Sequence, residues 1–140
     1  MTPDARHLDP DVERVRAAYR AFERGDIDAA VRDLHPRVVW TEPPEFPGGG
    51  RYVGSRQVAA YLRASRAMWG ELESHPTVTR RGGRVVAVHR VSGRLADGTP
   101  HEGLAVDVFT FVDGLVVEMT AYAAPEDVPP ERPTARGGTS

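Results

Sequence analysis

The chain has no lysine, no cysteine and no asparagine, and all 18 of its basic residues are arginine. Without lysine there is no Schiff-base aldolase, no lysine-anchored pyridoxal phosphate and no P-loop. Without cysteine there is no thiol nucleophile, no disulfide and no thiolate metal site. No apolar run approaches the roughly 18 residues of a bilayer crossing, so no membrane partner is expected. The first residues, Met1-Thr2-Pro3-Asp4, lack a cationic stretch followed by an apolar one, so no secretory leader is expected. Missing cysteine agrees with a cytoplasmic location. A net charge of −2 supplies no field to attract nucleic acid. Arg80, Arg81 and Arg84 form the densest basic cluster, but they flank Gly82-Gly83, where a solvated hairpin turn explains them better than a phosphate site.

What is present reads as one ordinary domain: 140 residues, 40% hydrophobic and 27% charged, enough for a single core and too few for two. Asp9 as cap, Pro10 at the first helical position and acidic Asp11 and Glu13 open a first helix. Val12, Val15, Tyr19 and Phe22 recur at helical spacing, and Gly25 stops it. Asp26 caps a second helix with apolar Ile27, Ala30, Val31 and Leu34, which Pro36 ends. A strand over 37–41 runs into a loop that prolines stiffen at Pro43 and Pro44 and glycines loosen at 48–50. Ser55 caps a third helix whose face carries Val58, Tyr61, Leu62, Ser65, Met68 and Trp69, with Gly70 as its stop.

The remainder is a β-meander with strands at about 74–80, 84–95, 101–112 and 115–123. Its turns carry Gly82-Gly83, Asp97-Gly98 and Asp113-Gly114. Residues 124–140 hold four prolines and two glycines and, with 1–8, are expected to be flexible termini around a domain over 9–123. Three N-terminal helices packed on a mainly antiparallel meander make an α+β fold. Strand 101–112 is apolar on both faces, and helices cover only one of them. The other face is expected to meet another sheet or a second subunit, which points to a homodimer.

Five histidines are present, none in His-x-His or His-Glu-x-x-His spacing, so no metal is expected. His35 precedes proline at a helix end, where capping explains it. His89 alone lies mid-strand in an apolar run, where a lone histidine is more often a core residue than a catalyst. Asp107 is the residue to follow. It lies in Ala105-Val106-Asp107-Val108-Phe109-Thr110-Phe111, where desolvation raises a carboxyl pKa, and such residues are often functional. The plainer alternative is a strand carboxylate that faces water or is hydrogen-bonded to a neighbour. A hairpin symmetric about Gly98 sets His89 opposite Asp107. A two-residue Asp97-Gly98 turn sets Val88 there instead and turns His89 to the other face. Glu42, on the face of Trp40 and held by the prolines that follow, suits a positioned base. Tyr19, Phe22, Trp40, Phe46, Tyr52, Tyr61, Trp69, Phe109 and Tyr122, with Met68 and Met119, are candidates to line an apolar cavity, although at these spacings some must be core.

Several segments resemble the SnoaL-like branch of the nuclear-transport-factor-two-like superfamily: Gly25-Asp26, His35-Pro36, Val38-Val39-Trp40 running into Glu42-Pro43, Tyr52-Val53-Gly54, and Phe109-Thr110-Phe111-Val112-Asp113-Gly114. The resemblance spans residues 12–123. It implies a cone-shaped α+β barrel, a curved sheet wrapped on helices around an apolar pocket, frequently dimeric. It specifies function poorly, because the superfamily hosts isomerases, cyclases, hydrolases and binders. Glu42-Pro43 matches the general-base position of the ketosteroid isomerases. Asp107-Val108-Phe109-Thr110-Phe111 matches their oxyanion-hole strand, whose carboxyl is kept neutral by its apolar site. The position of their tyrosine falls on Ala18, with Tyr19 about 100° around the helix, which favours SnoaL-type polyketide cyclases over steroid isomerisation. The resemblance therefore implies a cofactor-free acid–base enzyme using Glu42, Asp107 and His89 on a small apolar carbonyl compound, polycyclic ketones among the candidates. The rival is a ligand-binding or dimerisation module with no turnover.

Overall fold

The structure, a computed structural model, describes residues 8–131. His7 and most of the two predicted flexible termini lie outside the described residues. Helix α1 spans Pro10–Glu23 and begins as its sequence dictates, with the Asp9 carboxylate accepting from the backbone N–H groups of Asp11 and Val12. The same carboxylate receives Arg80 from the far end of the meander, at 2.8 and 3.0 Å, which ties the helix start to the sheet. The Arg80 guanidinium holds the Asp9 carboxyl down at about 2. Because the folded-state value is depressed, this contribution is full above the ordinary aspartate range and fades as pH falls through 2. Asp9→Ala is expected to cost about 1–2 kcal/mol at neutral pH, from the cap and a partly exposed ion pair. Urea denaturation of both proteins checks it, and their difference should shrink as the buffer is taken from about pH 4 toward pH 2.

The second helix, α2, is only Ile27–Ala30, capped by Asp26. It does not extend to Pro36, because strand β1 starts at Leu34 and runs to Glu42. The backbone N–H of Val116 bonds the carbonyl of Asp33 and draws Leu34 into the sheet. Proline, which cannot donate, is accommodated at an irregularity in the β1 pairing between Leu34 and Val39. His35 therefore caps no helix; its Nδ1 accepts from the Arg37 N–H at 2.9 Å within the strand.

Strand β2 covers Gly50–Val53 and helix α3 covers Ser55–Ala67, with Gly54 rather than Ser55 at its N-cap. Trp69 and Gly70 do not continue α3. They open strand β3, Trp69–Arg81, which pairs with β4, Arg84–Leu95. Strands β5, Pro100–Val112, and β6, Leu115–Tyr122, complete the meander. The six strands lie in the order β2-β1-β6-β5-β4-β3, antiparallel except for β1 against β6. The sheet is mixed and does not close into a barrel. Helix α3 instead touches both edge strands, β2 and β3, while α1 packs on β3 and β4.

Alternation along β5 divides its side chains between two layers. The inner layer joins Phe109 to Val15, Tyr19, Trp40, Val85 and Met119. On the outer face Val86, Val106 and Val108 are buried within the single chain, where Val88, Tyr122 and Val128 pack against them. Val128 arrives after a short 3-10 turn at Pro125–Asp127. Beyond it the Glu131 carboxylate accepts from the Gly83 N–H at 2.8 Å. The second apolar face of β5 is thus covered at these valines by the chain itself. No helix among the described residues is long and apolar enough to cross a membrane.

Candidate active site

Between α1, α3 and the inner face of the sheet lies an apolar cavity of about 200 Å³. Helix α1 presents Val15, Ala18, Tyr19 and Phe22 to it, one face at helical spacing. Strand β1 contributes Trp40 and Glu42, the loop after it Phe46, α3 Tyr61, and the start of β3 Trp69. His89 comes from β4, and Asp107 and Phe109 come from β5. Glu42, His89 and Asp107 therefore share one cavity.

Four predicted lining residues do not reach it. Tyr52 stands behind Tyr61, with ring centroids 4.8 Å apart, and its hydroxyl donates to the Gly48 carbonyl. Met68 caps α3 and is 42% exposed, because the chain turns into β3 there rather than completing another helical turn. Met119 is fully buried, lodged between its cross-strand neighbours Trp40 and Phe109. Tyr122 has the opposite strand parity and packs on the outer face.

Asp107 is bonded by Tyr19, whose hydroxyl donates to Oδ2. Tyr19, one residue from the position the resemblance gives for the tyrosine, lines the cavity as expected of it. The cavity-facing arc of α1 takes in both Ala18 and Tyr19, so an offset of one residue still lands in the site. Burial first, then the Asp107 carboxylate, pushes the Tyr19 hydroxyl well above its ordinary pKa and keeps it a donor.

His89 faces the same side as Asp107 without pairing with it. The β4–β5 loop has three residues, Ala96-Asp97-Gly98, with Gly98 at φ +91° and the Leu95 N–H bonded to the Thr99 carbonyl at 2.8 Å. His89 is then opposite Ala105, and Asp107 is opposite Ala87. The imidazole Nε2 instead shares a 2.6 Å hydrogen bond with Ser74 Oγ, and the ring lies 4.4 Å from that of Tyr19. Burial, assisted by His75, holds His89 down to about 4, so it is neutral at pH 7.

Glu42 is buried. Its Oε2 accepts from the Trp40 indole N–H at 2.7 Å, and Tyr61 lines the same cavity. Burial and then the charge of Asp107 push the Glu42 pKa up, while burial pushes that of Asp107 up against the Tyr19 hydrogen bond. Two carboxyls coupled in this way titrate as a pair. Sequence reasoning missed Arg14 and Asp33 in the walls. Arg14 lies one residue before Val15 on the cavity-facing part of α1, a helical signal that could have found it, and it is paired to Asp11 at 2.7 Å. Among the described residues no three His, Asp or Glu side chains are grouped to hold a metal ion.

The SnoaL-like domain family matches residues 15–119 of the chain. No curated protein matches the sequence. Among solved structures, the chain is similar to an NTF2-like protein of unknown function from Burkholderia pseudomallei K96243, at 25% identity and TM-score 0.73, over 84% of this chain and 92% of that one. It is also similar to TerC co-crystallised with polyporic acid, at 24% identity and TM-score 0.70, over 83% and 92%. A provisionally named SnoaL-like polyketide cyclase from Jannaschia sp. CCS1 aligns at 21% identity and TM-score 0.68, over 81% and 84%. At these identities the last two likenesses concern the fold.

Proposed function

The chain belongs to the SnoaL-like domain family, and from that premise we propose that it is an acid–base enzyme acting without a cofactor on an apolar carbonyl compound, by cyclisation or isomerisation through an enolate. The observation that carries the reading is the convergence of Glu42 and the Tyr19–Asp107 pair on one apolar cavity. Glu42 takes the proton from the carbon beside the carbonyl. The Trp40 indole N–H supports its carboxylate, as the Tyr19 hydroxyl supports that of Asp107. In the reactive form the pair holds one proton, on Asp107. A protonated Asp107 donates to the Tyr19 oxygen, which frees the Tyr19 hydroxyl to donate to the developing oxyanion. His89 is neutral and its ring lies tilted against that of Tyr19, so it positions that ring rather than carrying a charge.

The experiment is deuterium uptake at the α carbon of 2-tetralone, an uncharged enolisable ketone, followed by proton NMR. The wild-type protein is expected to accelerate uptake over buffer by at least about 100-fold, the low end for a positioned general base. Uptake at the buffer rate with the ketone bound would support the non-catalytic binding module instead.

A further inference from the structure

Resting on that chemistry, we infer that the site takes an uncharged substrate of one ring or two fused rings, and that a skeleton of four fused rings does not fit within its walls. The argument is one of volume, clamped walls and charge. An apolar cavity on the order of 150 Å³ is filled by a single benzene ring, and drug-sized ligands occupy roughly 300–1,000 Å³. The cavity here measures about 200 Å³, which leaves room for a second small ring and little more.

The walls that set this volume are held by contacts of their own. Trp40 is fixed through its indole N–H to Glu42 and edge-on against Phe109, with centroids 6.2 Å apart. Tyr61 is backed by Tyr52, and Tyr19 is held between Asp107 and His89. Widening the cavity at any of these would break a hydrogen bond to a carboxyl or a ring contact, so a larger ligand gains no space cheaply. Charge narrows the class further. The carboxyl pair already crowds negative charge into the cavity, and Arg14, the one arginine among the lining residues, is engaged by Asp11 at 2.7 Å. A carboxylate on the substrate would have to compete with Asp11 for Arg14 to gain a cation there. The substrate is thereby a monocyclic or bicyclic ketone or diketone without an acidic group, smaller than the polycyclic ketones suggested by the sequence.

Equilibrium dialysis with phenols, which mimic an enol, tests this. 2-Naphthol has two fused rings, 1-hydroxypyrene has four, and 6-hydroxy-2-naphthoate adds a carboxylate to the two-ring frame. The expected result is that 2-naphthol binds at least about tenfold more tightly than either of the others. Tyr61→Ala, which removes one clamped wall, should narrow the gap to 1-hydroxypyrene and leave the penalty on the carboxylate in place. Equal or tighter binding of 1-hydroxypyrene or of the naphthoate by the wild type would overturn the inference, as would an absence of saturable 2-naphthol binding. Because the readout is binding alone, it separates from the chemistry. The expected order of affinities without deuterium uptake into 2-tetralone would sink the proposed reaction and leave the size limit standing. Uptake with the order reversed would do the opposite.

Discussion

Glu42→Gln should lower deuterium uptake into 2-tetralone by about 10²- to 10⁴-fold, the contribution usual for a positioned general base. The amide keeps the shape of the carboxyl but cannot take a proton at neutral pH. The loss should fall on the rate rather than on binding, with 2-naphthol affinity changed by no more than a few-fold. Glu42 is reached by the Trp40 N–H, so the variant keeps a carbonyl oxygen to accept from it and the cavity retains its walls. A variant that binds 2-naphthol as before and exchanges as fast as the wild type would remove Glu42 from the mechanism.

Asp107→Asn is expected to move activity and stability in opposite directions. Uptake should fall by about 10²- to 10³-fold, as when one donor of an oxyanion hole is lost, because an asparagine carries no shared proton for Tyr19. Thermal stability should rise at the same time. In the unfolded chain the Asp107 carboxyl ionises in the ordinary aspartate range, whereas burial delays its ionisation in the folded chain. Between those two values the folded state binds more protons, so stability falls as pH rises through that window. The amide removes that loss and still accepts from the Tyr19 hydroxyl through its oxygen. A gain of about 1–3 kcal/mol is expected at pH 8, and a smaller gain near pH 4, measured by denaturant titration. A variant less stable than the wild type at pH 8 would mark Asp107 as a structural acceptor whose charge the fold requires.

Asp107 was legible because a charged residue interrupts an otherwise apolar strand, a conflict between pattern and chemistry that burial turns into a raised pKa. Glu42 was legible from the strand end and the prolines behind it. The meander was legible too, since Gly82-Gly83 and Asp113-Gly114 do form two-residue turns, between Arg81 and Arg84 and between Val112 and Leu115. Register was not. The single loop residue that separates the actual Asp97-Gly98 hairpin from a two-residue turn decides what His89 faces, and local sequence does not encode it. For the same reason Trp69 was read as helix: its place in β3 is set by pairing with Leu95, 26 residues away along the chain. The Tyr19–Asp107 contact joins residues 88 apart, and no spacing rule reaches that far. Tyr122 and Met119 show the limit of composition, since both are large and apolar, yet strand parity sends one to the outer face and close packing seals the other beneath the cavity.

The claim at the centre is that two buried carboxyls, coupled within one apolar cavity, perform the proton transfer. The pH dependence of deuterium uptake into 2-tetralone, measured for the wild type and for Asp107→Asn, bears on it most directly. For the wild type, uptake should rise with pH as the buried pair loses its first proton, on a limb lying above the ordinary carboxylate range, and fall as it loses its second. In Asp107→Asn the residual activity should still rise with the ionisation of Glu42 but show no fall at higher pH, since the second titrating proton is gone. A rising limb at the ordinary carboxylate position in the wild type, or a fall at higher pH that survives the substitution, would contradict the account.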